Sequence, residues 1–107
     1  MFKRKHRALV LKKPYTVIPS VLFTLRIGKN DKKFSRFSVV VSKQIDKRST
    51  KRNAIKRIVR ECLQNLTSRI AGGYDMIIVV KKELTTKTKE EILSAMSVFL
   101  QKEGLLV

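Results

Sequence analysis

Acid, cysteine, histidine and tryptophan are what this 107-residue chain has least of: eight Asp+Glu against 25 Lys+Arg, one Cys, one His and no Trp. A single cysteine excludes a disulfide framework and a thiolate zinc site, and it fits a reducing compartment in which no disulfide-linked partner is expected. Four Gly and two Pro leave no Gly/Ser linker or low-complexity segment, and no repeat is present, so the length fits one domain over residues 1–107. No apolar run approaches the ~18 residues that span a bilayer. Ala8-Leu9-Val10-Leu11 is also too short for a signal-peptide core before Pro14 interrupts it. The carboxylates Asp31, Asp46, Glu61, Asp75, Glu83, Glu90, Glu91 and Glu103 form no D-x-D and no pair except Glu90-Glu91 at a helix start. Two-metal phosphoryl chemistry therefore has no ligands here. His6 has no orienting acid near it in sequence, which argues for a solvated side chain over a general base. Cys62 falls on an apolar helix face, where a buried small hydrophobe is the default and a nucleophile would want a partner His. The chain is expected to carry neither a catalytic residue nor a metal site.

What the sequence does have is positive charge, unevenly placed. Nineteen of the Lys and Arg lie in the first 60 residues with only Asp31 and Asp46, which accounts for the whole net charge of +17; beyond residue 60, six basic and six acidic residues cancel. Solvation alone would spread the excess, so the asymmetry points to a concentrated field and a polyanionic partner. Nucleic acid leads. An anionic membrane surface is disfavoured because the basic segments lack the Trp/Phe/Leu-rich face of an interfacial helix. A hydrophobic content of 43% with five Phe is enough for one modest core.

Residues 1–20 read as a basic arm or irregular lead-in, punctuated by Pro14 and Pro19. Val21, Phe23, Leu25 and Ile27 alternate with Leu22, Thr24 and Arg26, the period of a half-buried strand, and Gly28–Lys33 supplies a turn. Phe34–Ser42, rich in β-branched and aromatic residues, predicts a second strand pairing back on the first. Ser49 or Thr50 is positioned to cap a helix running to about Leu66, with Ile55, Ile58, Val59, Cys62, Leu63 and Leu66 on one side. Gly72-Gly73 ends the helical region, and Met76–Val80 reads as a buried central strand. Thr88 and Glu91 form a capping box for a last helix carrying Ile92, Ala95, Met96 and Phe99 up to Gly104. The expected fold class is α+β, a small α/β sandwich with a sheet covered on one face by two helices.

The chemistry concentrates in Ser42–Arg60, which holds eight basic residues and one acid and turns from loop into helix near its middle. Lys47, Arg48, Lys51 and Arg52 crowd the positive end of that helix, at a cost of ~0.3–1 kcal/mol for each charge close to it. Stability alone would favour Asp or Glu there. Orphan N–H groups, the dipole and added cations together form an anion site of the kind that grips phosphate. Arg52, Lys56 and Arg60 stand at i, i+4 and i+8, rising ~6 Å per step, close to the phosphate spacing of a nucleic-acid strand. Asn53 and Arg57 share their arc. A merely solvated face would mix both signs, whereas this one has no acid before Glu61.

Val41-Ser42-Lys43, then Arg52-Asn53-Ala54-Ile55-Lys56-Arg57-Ile58-Val59-Arg60, then Gly73-Tyr74-Asp75 followed by Met76–Val80, resembles the protein component of bacterial ribonuclease P in motif identity, order and spacing over roughly residues 21–100. The resemblance implies a left-handed crossover between two parallel strands, against the usual hand. It also implies a protein that binds the catalytic ribonuclease P RNA and the 5′ leader of precursor tRNA in the bacterial cytoplasm. The active site and its Mg2+ would lie on the RNA. The charge pattern and the resemblance together mark Lys43, Lys47, Arg48, Lys51, Arg52, Asn53, Lys56, Arg57 and Arg60 for RNA binding, and the resemblance adds Phe23 and Phe37 as leader contacts, although by alternation Phe23 shares the face of Val21, Leu25 and Ile27 and reads as core; Thr24 and Arg26 are the alternatives on the second face. Ala54 replaces the last Arg of the family's Arg-Asn-Arg, and the loop between Lys43 and Arg52 is about one residue longer. The family's N-terminal helix is not recognisable before Val21, so a shortened form with a leader cleft open on one side is expected. A ribosomal or ribosome-assembly RNA-binding protein fits the same charge and fold class. A helix-turn-helix DNA binder fits less well, because a strand precedes the basic helix.

Overall fold

The computed structural model describes residue 11 and residues 14–107. The arm cations Lys3, Arg4, Lys5, Arg7, Lys12 and Lys13, and His6 among them, lie outside the described residues. Strands β1 (Thr16–Pro19), β2 (Phe23–Lys29) and β3 (Arg36–Val40) precede helix α1 (Ser49–Leu66); β4 (Tyr74–Val80) and α2 (Lys89–Lys102) follow, with short 3-10 turns at Thr67–Arg69 and Lys82–Thr86. The sheet order is β1-β2-β4-β3, antiparallel except for the β3–β4 pair. Two expectations change here. The stretch through Pro14 and Pro19 ends in an edge strand, β1, which pairs with β2 from Thr16 to Pro19. An edge tolerates proline because one side of the strand needs no ladder donor. The second strand, moreover, does not pair back on the first: β3 runs parallel to β4, which lies between β2 and β3.

The side-chain pattern explains the central place of β4. Its Met76, Ile78 and Val80 are buried and its Ile77 and Val79 half-buried, so both faces prefer neighbours, whereas β2 exposes Arg26. Register sets Phe23, Leu25 and Ile27 of β2, Met76, Ile78 and Val80 of β4, and Phe37 and Val39 of β3 on one face. Both helices cover that face: α1 contributes Val59, Cys62, Leu63 and Leu66, and α2 contributes Ile92, Met96 and Leu100. The Phe23 and Phe99 rings meet edge to face at 5.0 Å. Thr88 accepts from the Glu91 N–H while the Glu91 carboxylate accepts from the Thr88 N–H, closing the expected capping box, and Gly104 takes the positive φ of 74° that ends the helix region. Cys62 is fully buried, and burial pushes its thiol pKa up, away from a reactive thiolate.

To reach β3, the chain from Asn30 to Ser35 must cross the start of β4. Gly72 makes room for it: a Cβ there would sit 2.1 Å from the Lys33 carbonyl oxygen. The crossing is held by Asn30 N–H to the Gly73 carbonyl (2.9 Å), Ser35 Oγ to the Ala71 carbonyl (2.6 Å) and Tyr74 N–H to Ser35 Oγ (3.1 Å). At its centre is Asp75, 4% exposed, whose carboxylate accepts two bonds from the Arg36 guanidinium (2.8 and 2.6 Å) and one from Asn30 Nδ2 (2.8 Å). The Arg36 bonds, then Asn30, hold its pKa below the ordinary range against the opposing effect of burial.

Gly72→Ala forces backbone against backbone and should destabilise by roughly 1–3 kcal/mol, a melting-point drop of several degrees in thermal unfolding. Asp75→Asn tests the hub through pH. A carboxylate with a depressed folded-state pKa gives its full stabilisation above its unfolded value near ~3.9 and loses it as pH falls through the folded value. The variant should therefore melt well below the parent at pH 6, and the gap should close in melts recorded progressively below about pH 4.

Candidate nucleic-acid interface

Helix α1 begins without the expected cap. Ser49 and Thr50 lie in its first turn; the N-cap is Arg48, with extended backbone (φ −80°, ψ 122°) and no side-chain bond to the helix end. No acid occupies the first turn. The preceding loop is organised instead by Asp46, whose carboxylate accepts the Arg48 N–H (2.9 Å), Nε (3.1 Å) and Nη2 (3.0 Å). Those bonds, the side chain's first, lower its pKa to about 2. Arg52 reaches back from the second turn, and its Nη1 donates to the carbonyls of Asp46 (3.0 Å) and Lys47 (2.8 Å). Two of the site arginines thus shape the loop that presents the others.

Lys43, Lys47, Arg48 and Lys51 are exposed around the helix entrance, and Asn53, Arg57 and Arg60 are exposed along the helix; Lys56 and Arg52 are half-buried on the same arc. Lys89 Nζ meets Glu61 at 3.0 Å across to α2, so the first acid on α1 already has a cation of its own. The basic arc is therefore brought together as expected, with Arg52 shifted from an outward contact to a loop staple. The spacing alone could not reveal that role, because its partners are backbone carbonyls that carry no sequence signature.

One of the two leader contacts needs correction. Phe23 is 2% exposed and packs on Phe99, so it has no ring face for a base. Phe37 is half-buried on the same helix-covered face and borders α1 beside Arg60, Leu63, Gln64 and Thr67. The opposite face of the sheet presents Thr24, half-buried, and Arg26, exposed, in register with Val79 and Ile77. Among the described residues no three His, Cys, Asp or Glu side chains converge on a metal position, and no helix is long and apolar enough to cross a membrane.

A family model described as Ribonuclease P matches residues 3–104. The chain is 31% identical over 81 residues to the ribonuclease P protein component of Syntrophus aciditrophicus (strain SB), covering 76% of this chain and 67% of that protein. It is 34% identical over 71 residues to the ribonuclease P protein component of Xanthomonas oryzae pv. oryzae, covering 66% of this chain and 48% of that one; against this relative it spans about half the length. Among solved structures, the RNase P protein from Thermotoga maritima is similar with a TM-score of 0.77 at 23% identity, covering 84% of each chain. The Staphylococcus aureus RNase P protein is similar with a TM-score of 0.77 at 22% identity, covering 89% of this chain and 86% of that one. At these identities the structural likeness establishes the α+β fold.

The two kinds of cation on α1 should separate in one experiment. Lys56→Ala and Arg57→Ala should weaken RNA binding and flatten its salt dependence by ~0.7–0.9 per phosphate contact, with the melting temperature unchanged. Arg52→Ala should also lose ~1–2 kcal/mol of stability in denaturant titration, because two carbonyls give up a charged donor.

Proposed function

Because the chain belongs to the ribonuclease P protein family, the protein component of the endoribonuclease that matures tRNA 5′ ends, we propose that it acts as that enzyme's RNA-binding accessory subunit. The α1 arc and its entrance loop hold the ribonuclease P RNA by its phosphates. The observation that carries this reading is the run of cations from Lys43 to Arg60, in which the side-chain charges of Lys43, Lys47, Lys51, Lys56 and Arg57 make no hydrogen bond or ion pair with the rest of the described protein. Cations left unpaired and concentrated at a positive helix end cost stability unless an external anion neutralises them.

In this reading the precursor tRNA leader lies on the sheet face that carries Thr24 and Arg26, opposite the buried Phe23. The Mg2+ that activates the attacking water is held by the RNA, and the chain supplies affinity and position. The bacterial cytoplasm is the corresponding location. A ribosome-assembly role would use the same cations without supporting any cleavage.

Purified, RNA-free protein should cleave no precursor tRNA. Added to ribonuclease P RNA at low magnesium, it should restore cleavage to a mature 5′ phosphate, read on a denaturing gel. Binding to the RNA with no gain in cleavage at any magnesium concentration would favour the ribosome-assembly alternative; metal-dependent cleavage by the protein alone would overturn the accessory role.

A further inference from the structure

The turn that crosses from β2 to β3 carries a second feature that the α1 interface does not absorb. Phe34 keeps 59% of its surface exposed, the most of any aromatic ring among the described residues. Lys32 places its ammonium 5.9 Å from the centre of that ring, and Lys29 and Lys33 are exposed on either side. Asp31 is the only acid in the turn. An exposed phenyl ring on a flexible loop would be unremarked, but this turn is held tightly. Asn30 accepts the Lys32 N–H at 2.8 Å and donates from Nδ2 to the Phe34 carbonyl (3.2 Å) and to Asp75 (2.8 Å). Gly72 lies beneath the Lys33 carbonyl, at a distance that admits no side chain. The buried Asp75 hub thereby fixes the backbone on which an apolar ring faces water.

We propose that this turn is a second RNA contact, in which Phe34 stacks on an unpaired base while Lys29, Lys32 and Lys33 hold the flanking phosphates. It rests on the RNA-binding reading above and extends it to the far end of α1. The polyanion class follows from charge: three cations within five residues repel a basic or neutral partner, and Lys32 beside the ring strengthens stacking with an electron-rich base. An apolar protein partner would instead bury the ring beside lysines that it leaves unpaired. Helix α1 starts beyond the carboxyl end of β3 and the chain after it returns to Ala71, next to this turn, so the helix entrance lies the length of an 18-residue helix, roughly 27 Å, from the end of α1 nearest the turn, with Lys56, Arg57 and Arg60 in between. One RNA strand or one folded RNA must span that distance, and occupying both sites multiplies affinity without new contacts.

The chain has no tryptophan, so Phe34→Trp installs a single reporter at the proposed stack. The full-length variant is titrated separately with a ribonuclease P RNA transcript, a precursor tRNA with its 5′ leader, and mature tRNA. Saturable quenching by the first assigns the base to the catalytic RNA, and quenching by precursor but not mature tRNA assigns it to the leader. Phe34→Ala should then weaken binding of the quenching RNA by roughly 5- to 150-fold at fixed salt, with the melting temperature unchanged. Lys32→Ala/Lys33→Ala should lower the slope of log affinity against log salt by up to about two contacts. Lys56→Ala serves as the control on the other site. If it weakens binding while Phe34→Ala and Phe34→Trp leave affinity and fluorescence unmoved, the turn is no contact and the α1 reading stands. If the parent protein binds none of the three RNAs, the underlying reading falls and the turn proposal with it.

Discussion

A buried carboxylate at the start of the central strand governs how the chain is threaded. Asp75 ties Arg36 at the start of β3 and Asn30 at the end of β2 to β4, the strand that separates them. Parallel pairing of β3 with β4 forces the chain to travel the length of the sheet before β4 can begin, and α1 is the connection that does so. The basic helix therefore lies against the sheet because β3 and β4 are parallel, and they are parallel where Asp75 and Gly72 allow the turn to pass. An ion pair this close to water contributes modest net stability, since Arg36 keeps 40% of its side chain exposed. Its larger effect is on uniqueness: a hairpin of β2 with β3 would leave Asp75 without its guanidinium and expel β4's apolar faces from between two neighbours.

Electrostatics and packing are divided along α1. Its sheet-facing side is apolar from Ile55 to Leu66, and four buried residues, Val59, Cys62, Leu63 and Leu66, hold it in place. That burial, at about 25 cal/mol per Å² of apolar surface, outweighs a first turn whose cations oppose the helix dipole. The loop before the helix relieves part of the conflict locally. Asp46 neutralises Arg48, and Arg52 commits its guanidinium to two backbone carbonyls, which leaves Lys43, Lys47 and Lys51 as the outward charges at the entrance. A helix end preserved in this state by a core some distance away is suited to an anion that arrives from outside.

How much of this was legible in the residues varies with the range of the interaction. The central strand at Met76–Val80, the extent of α1, the Thr88–Glu91 box and the apolar stripes are set by local period and capping chemistry, and all appear where the pattern places them. The partner of Phe34–Ser42 is set by competition among strands for β4, which no window of sequence contains. The cap of α1 was misplaced because Ser49 and Thr50 have capping chemistry while the loop closes instead through Asp46 and Arg52, pairs two and six residues apart. Alternation placed Phe23 on the core face together with Leu25 and Ile27, and the structure agrees with that pattern against the leader contact suggested by family position.

The Gly-Tyr-Asp segment shows how one motif can serve folding and function together. In the sequence Gly72 and Gly73 read as a stop to the helical region, and Asp75 as a scattered carboxylate within the Gly-Tyr-Asp motif, with no partner in view. In three dimensions Gly72 admits the backbone of a crossing turn, Gly73 adopts a φ of 92° that a side chain would strain, and Asp75 anchors the same turn from beneath. Polar residues buried for such reasons leave their signal in the partners they require, here Asn30 and Arg36, at separations of 45 and 39 residues. The same three residues that decide strand order also make the Lys32–Phe34 tip rigid. A tip held in this way loses less conformational entropy on meeting a ligand than a loose loop would, so less of the contact energy made there goes into ordering the backbone.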